Sequence, residues 1–210
     1  MIERKSSPLL RLHATRRALF SLVLASNSCF VPALHAQERL VTLDPVQTKV
    51  EFTVGSTLHT VHGTFKLKSG QIRFDPVSGK AAGAIVVDAM SGDSESEGRD
   101  KKMHQQVLES QKYSEIVFTP ALVKGAIAPQ GTSQLELSGT FRLHGQDHDL
   151  TLAIAVEPLA AGQLRATANF SVPYIKWGLK NPSNFFLKVD DIVGIEIHAT
   201  CQFAPDPAQH

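Results

Sequence analysis

The residues whose types and spacing could do chemistry are few. His144-Gly145-Gln146-Asp147-His148 sets two histidines and a carboxylate in one tight loop, a combination able to ligate a metal. Gly145 lets the chain turn, and a third firm ligand at fixed spacing is missing, so a hairpin turn with solvated polar residues is the plainer expectation. His59 and His62 lie three apart, which on a strand points them to opposite faces unless the strand bulges. His104 falls in a helical stretch, where a capping or surface role is ordinary. Asp190-Asp191 is a carboxylate pair, but neighbours on a strand face opposite ways, and a solvated turn before a last strand accounts for it. Cys201 lies within an apolar strand pattern with no sign of activation, and the chain has no Gly-x-Ser-x-Gly elbow, no phosphate-cradling glycine loop and no His-Glu-x-x-His. The chain is therefore expected not to be an enzyme, with no catalytic residue, cofactor or metal site nominated.

The remaining candidates are apolar. Phe52, Phe65, Phe74, Phe118, Phe141 and Phe170 fall in the inward phase of alternating stretches, and Trp177, Phe185 and Phe186 lie near what would be the mouth of a barrel. These residues are the candidate lining of an apolar binding site. Ordinary core packing would place each of them the same way, because pattern fixes facing better than depth.

The elements that must position them read as strands. From Val50 onward apolar and polar residues alternate with a period of two. Val50, Phe52 and Val54 form one set. Phe65 and Leu67 precede a Ser69-Gly70 turn into Ile72 and Phe74, which reads as a hairpin. Phe74-Asp75-Pro76-Val77-Ser78-Gly79 breaks the pattern, and Ala84, Val86 and Asp88 follow in another extended stretch. The second half repeats the alternation through Leu135, Leu137, Phe141 and Leu143, then Leu150 to Val156, then Leu164, Ala166, Ala168, Phe170 and Val172, then Ile195 to Phe203. About eight or nine strands with short turns favour an all-β fold, a single closed antiparallel barrel with one short helix, because closure removes exposed edges; a sandwich is the runner-up. Small residues at expected inward positions (Ala84, Gly139, Ala166, Ala168, Ala199) leave room for one elongated ligand. The helix spans about 94–109: Ser94 and Glu97 have capping-box spacing, and Met103, Val107 and Leu108 share a face that covers a barrel end.

The chain opens with Arg4, Lys5, Arg11, Arg16 and Arg17 ahead of an apolar run, residues 18–25, and then Pro32, the order of a secretory signal. The run is shorter than the roughly 18 residues that span a bilayer. Cleavage is expected after Ala36 or Ala33, which gives a signal over 1–36 and one domain over 37–210. Thr15-Arg16-Arg17 resembles a twin-arginine signal, although paired arginines are also common on the ordinary route, which is favoured. Cys29 lacks the leucine three residues earlier that a lipid-anchored protein would have. Of 21 basic and 20 acidic residues, five and one fall in the leader, leaving 16 against 19, a mildly acidic domain without the basic stripe a nucleic-acid partner requires. Cys201 is left unpaired.

One ordered series of motifs goes further: Leu43-Asp44-Pro45, Val50-Glu51-Phe52, His62-Gly63-Thr64-Phe65, Ile72-Arg73-Phe74-Asp75-Pro76, Gly98-Arg99-Asp100 before Met103-His104, Leu108-Glu109-Ser110, residues 112–118, residues 139–145, and Val189-Asp190-Asp191. The series resembles the YceI-like family from about Leu40 to Phe203. That resemblance implies a lipocalin-like barrel, usually periplasmic or secreted, able to hold a polyisoprenoid or isoprenoid-quinone chain. Residues 177–186 depart from the commonest pattern. The expected function is therefore an exported carrier or store for a long isoprenoid lipid, with the helix and the loop from Trp177 to Phe186 as lid. Transient membrane contact and a homodimer are compatible with it. The alternatives are a metal-binding enzyme or sensor using His144 and His148, and an interaction protein with a filled core.

Overall fold

A computed structural model describes residues 38–204. The expected leader, with its arginine pair, Cys29 and both cleavage positions, lies outside the described residues. Strands β1 (Arg39–Leu43) and β2 (Lys49–Val54) both run between β3 (Val61–Phe74) and β9 (Val193–Phe203). β1 pairs with 71–74 and 201–203, β2 with 61–65 and 194–198. The two are one barrel position broken at Asp44, whose carboxylate accepts the Val46 N–H at 2.8 Å and closes a tight turn. The remaining order is β9, β8 (Gln163–Val172), β7 (Gln146–Pro158), β6 (Ser133–Leu143), β5 (Glu115–Lys124), β4 (Ala81–Asp93) and back to β3. Every pairing is antiparallel and the first and last positions meet, so the described sheet closes on itself as a lipocalin-like barrel.

The expected hairpin turn at Ser69-Gly70 does not form. β3 runs through it as a single strand of 14 residues, with register shifts against β4 between Thr64 and Lys66 and between Leu67 and Ser69. A bulge changes strand parity, so Val61, Phe65 and Leu67 face inward before it and Gly70, Ile72 and Phe74 after it. Both apolar sets thus reach the core without a reversal. A side chain on Gly70 would begin 2.9 Å from Leu43 Cβ. The actual turn is at 75–80, where the Asp75 carboxylate takes the Val77 N–H and the Ser78 hydroxyl.

Phasing of β4 also differs from expectation. Ala84 pairs with exposed Gln71 and points out, while Ile85 pairs with buried Gly70 and with Phe118. Residues 81–87 are small or apolar without interruption, so alternation there had no polar partner to fix its phase. The later strands follow the expected alternation, with Leu137, Leu143, Leu152, Val156, Leu164, Ala168, Val172, Ala199 and Cys201 buried.

The helix is shorter and mixed: α1 (Glu97–Lys102) continues into a π-helical turn, Met103–Val107, closed by Leu108 N–H to Met103 O at 2.9 Å. The expected capping box is absent. Ser96 occupies the cap position without a side-chain bond, and Ser94 instead gives its N–H and hydroxyl to Asp100 while its oxygens accept Arg99. Met103, Val107 and Leu108 do share a face, turned to the barrel interior.

Candidate binding site

The barrel interior holds a cavity of about 380 Å³ at the end where α1, the β2–β3 connection and the β8–β9 connection meet. Its wall is Phe52 and Val54 from β2, Val61 and Phe65 from β3, Ile116 from β5, Phe141 and Leu143 from β6, Val172 from β8, and Val193 and Ile195 from β9. Over it lie Met103, Val107 and Leu108 from the helix, and Tyr174, Leu179, Pro182, Leu187 and Val189 from the long connection. The wall offers almost no hydrogen bonds; the polar side chains among its lining are those of Ser56, His59, buried Ser94, Arg99 and Lys102, with the Tyr174 hydroxyl already donating to Asp190 O at 2.8 Å. A smaller cavity of about 110 Å³ lies deeper, bounded by Leu43, Ile72, Phe74, Leu137, Leu152, Ala166, Ala168, Ala199 and Cys201. Of the small residues expected to leave room, Ala166, Ala168 and Ala199 do so there, while Ala84 points out. Gly139 instead makes space for the Phe118 ring, whose Cζ would be 3.0 Å from any Cβ added at that position.

The aromatic residues nominated from sequence separate into groups. Phe52, Phe65 and Phe141 line the larger cavity, with the Phe52 and Phe65 rings 5.4 Å apart. Phe74 borders the smaller one. Phe118 and Phe170 lie inside the barrel but on neither wall, packed with Ile72, Leu137, Leu152 and Phe141. Trp177 turns away from the mouth: it stacks on His148 with centroids 4.1 Å apart and planes 6° from parallel, and leans on Phe141 at 5.7 Å. Strands β7 and β8 pair only from Ile154 to Pro158, so the earlier half of β7 lacks a β8 partner and Trp177 packs against it. Phe185 and Phe186 are 91% and 86% exposed and pack on each other at 5.1 Å. An Asx turn at Asn184, accepting the N–H groups of Phe186 and Leu187, sends Leu187 to the cavity and leaves the two rings outside.

The residues sequence reasoning missed are Tyr174, Leu179, Pro182 and Leu187, all in an irregular connection where no periodicity marks an inward side. Ile195, Leu143 and Val172 were legible as inward but, being aliphatic, were not singled out.

Each polar candidate has a structural occupation. His144 (φ 52) and Gly145 (φ 75) form the tight turn between β6 and β7, the geometry glycine and few other residues tolerate. His144 Nε2 meets the Glu109 carboxylate at 2.6 Å, and Asp147 is held by Arg142 at 2.6 and 2.9 Å, a hydrogen-bonded pairing that keeps its carboxyl below the usual range. His148 Nε2 is buried without a partner, against Trp177. The three loop residues therefore point to three different neighbours. His62 Nδ1 is 3.1 Å from Thr53 Oγ1, while His59 sits at the cavity rim. His104 bridges Ser110 Oγ and Gly92 O, pinning the helix to β4. Asp190 and Asp191 are exposed ahead of β9. Cys201 is 3% exposed, and burial pushes its thiol up to about 11. Among the described residues one trio brings ligand-type atoms within 4.8 Å of one another: Glu51, Glu196 and His198, on the outer face of β2 and β9, a combination that arises across strands and was not read from sequence. No helix among the described residues is long and apolar enough to cross a membrane.

The fold and this interior define a closed antiparallel barrel built around an apolar cavity. The chain belongs to the YceI-like family, whose domain model matches residues 41–201. Among solved structures it is similar to Burkholderia cenocepacia BcnA, at 15% identity and a TM-score of 0.60, covering 78% of this chain and 99% of that one. It is also similar to a polyisoprenoid binding domain from Saccharophagus degradans implicated in plant cell wall breakdown, at 17% identity and a TM-score of 0.58, covering 79% and 98%. At these identities the likeness shows the fold. No curated protein matches the chain.

Proposed function

We propose that this protein is an exported, non-enzymatic carrier or store that holds a long isoprenoid chain, polyprenyl or quinone-linked, in the larger cavity. The observation that carries the reading is the composition of the cavity wall. An isoprenoid offers methyl-studded hydrocarbon and no hydrogen bonds, so its affinity must come from desolvated area, at about 25 cal/mol per Å² before ordering costs. A preformed, almost wholly apolar space of about 380 Å³ is within the usual size of a small-molecule site and suits such a chain. The YceI-like family and its polyisoprenoid-binding neighbour support the ligand class. A binding role is favoured over catalysis because Cys201 is held neutral and His144 and Asp147 are committed to local partners. The leader residues and the family support export to the periplasm or beyond, with residues 1–36 removed and 37–210 retained as one domain.

Delivery is the part played by the exposed rings. Phe185, Phe186 and Leu58 stand beside the mouth, on two loops joined by Thr57 N–H to Lys188 O at 3.0 Å. Aromatic side chains favour the headgroup level of a bilayer, so a transient membrane contact here would set the mouth against the lipid that supplies or takes the chain. The test is calorimetric titration of delipidated protein with geranylgeraniol, alongside a variant whose wall is filled, Val193→Trp. Saturable binding with a negative heat-capacity change, lost in the folded variant, is expected. Absence of binding, or binding indifferent to Val193→Trp, contradicts the reading.

A further inference from the structure

The outer wall of the barrel carries a cluster of metal-ligating side chains that the cavities do not involve. On β2 and β9 the inward phase is taken by Val50, Phe52, Ile195 and Ile197, so Glu51, Glu196 and His198 point outward. The register sets Glu51 directly opposite Glu196, and His198 follows Glu196 by two residues on the same face. One carboxylate oxygen from each glutamate and one imidazole nitrogen lie within 4.8 Å of one another. His198 Nε2 meets Glu196 Oε1 at 2.8 Å. Glu51 is partly buried, and its carboxylate has no hydrogen bond or ion pair among the described residues. Thr64 of β3 and Asn169 of β8 flank the two glutamates, and Lys49 stands opposite His198.

Two carboxylates directly opposite each other on neighbouring strands repel, and a divalent cation between them turns that repulsion into ligation. Donors about 2.1 Å from a tetrahedral ion stand about 3.4 Å apart, so small side-chain rotations close the trio on an ion without moving either strand. We infer that Glu51, Glu196 and His198 form a site for a divalent transition-metal ion of the zinc type, which clasps β2 to β9 on the outside of the barrel. Two carboxylates balance the charge of such an ion, and the imidazole selects it over magnesium and calcium, which favour oxygen donors. In the metal-free protein His198 Nε2 carries the hydrogen that the Glu196 carboxylate accepts, so the ion displaces that proton to solvent and takes the nitrogen lone pair. Three protein donors leave a fourth position for water. β9 pairs with β8 along nearly its whole length but with β2 only from Gly194 to His198, so the ion ties the seam where the first strands of the barrel meet the last. Phe52 and Ile195, paired next to the two glutamates, line the larger cavity, which places the ion across the wall from it and makes the site independent of the carrier reading.

The experiment titrates the full chain, stripped with EDTA and dialysed into chelator-free buffer, with zinc chloride, read by calorimetry and by metal content after equilibrium dialysis. One zinc ion per chain is expected to bind at micromolar concentration, undiminished by millimolar magnesium or calcium. Glu51→Gln and His198→Gln should each weaken binding at least about tenfold. Both substitutions are on the outer face, so metal-free urea midpoints are expected to match the parent and show that the barrel is intact. Zinc should raise the urea midpoint of the parent but not of the two variants, because an ion held only by the folded chain stabilises it. His62→Gln and His144→Gln, which alter histidines outside the trio, should bind zinc as the parent does. Failure to saturate below millimolar zinc overturns the inference. Binding that survives His198→Gln, or that His62→Gln or His144→Gln weakens as much, overturns it as well, since the ion would then be on other histidines. A preference for calcium over zinc, or a parent midpoint that bound zinc leaves unchanged, likewise contradicts a zinc clasp between β2 and β9.

Discussion

Replacing Phe52 with alanine, and in parallel Phe185 with alanine, separates two residues of the same type that the sequence treats alike. Phe52 is 6% exposed, stacks at a tilt on Phe65, and rests on Gly63 so closely that a Cβ there would collide with its ring. Truncating a buried phenylalanine costs about 3–5 kcal/mol. Because Phe52 already borders a cavity, its loss enlarges an existing space, and the lower end, about 3 kcal/mol, is expected. For a domain of this size each kcal/mol moves the midpoint by about 2–4 °C, so Tm should fall by about 6–12 °C. Phe185 buries almost nothing, and its truncation should stay within about 0.5 kcal/mol. Urea and calorimetric unfolding of the delipidated proteins measure both. A cost below about 1 kcal/mol for Phe52→Ala, or a comparable cost for Phe185→Ala, would refute the assignment of one ring to the wall and the other to the surface.

Other consequences follow from particular contacts. Gly70→Val puts a branched side chain against Leu43 and should destabilise by about 1–3 kcal/mol in urea; unchanged stability would contradict the close crossing of β1 and β3. The Cys201 thiol should resist Ellman's reagent at pH 8 until denaturant is added, and rapid labelling of native protein would show that the lower barrel opens. Burial holds the Cys201 thiol near 11 against an ordinary 9.0, and burial with Asp191 and Asp190 nearby holds Tyr174 near 12 against 10.0. The unfolded chain therefore loses these protons first, so their contribution is complete below pH 9 and drains away between pH 9 and 12. Urea midpoints should fall over that window, less so in Tyr174→Phe, and a midpoint as steep in the variant as in the parent would count against the Tyr174 contribution. The double variant Phe185→Ser, Phe186→Ser should slow transfer of a bound chain to phospholipid vesicles with its solution affinity unchanged; an unaltered rate removes the rings from delivery.

The barrel was legible because its strands alternate and its turns are marked by Asp-Pro, Ser-Gly and His-Gly, with the YceI-like motifs in order along them. Where alternation lacked polar contrast, as in 81–87, phase could not be read, and Ala84 was turned the wrong way. Ser69-Gly70 looked like a turn because bulge and turn share a demand for small residues; only the pairing of 14 continuous residues with β4 distinguishes them. The wall was half-readable: Phe52, Phe65 and Phe141 are on regular strands, whereas Trp177, Phe185 and Phe186 are in a connection whose path depends on the Asn184 turn and on the unpaired half of β7. Lys102 carried no signal, and Arg99 only as part of the Gly98-Arg99-Asp100 motif, since a cation on a short amphipathic helix reads as surface until the cavity beneath it is seen.

The measurement that tests the central claim most directly is mass spectrometry of an organic extract from the protein, purified from its native host without detergent. A single isoprenoid species in stoichiometric amount is the predicted result. An extract empty of long apolar molecules, still empty after exposure to quinones, polyprenols and their phosphates, would contradict the carrier account and leave a barrel that works through its outer surface.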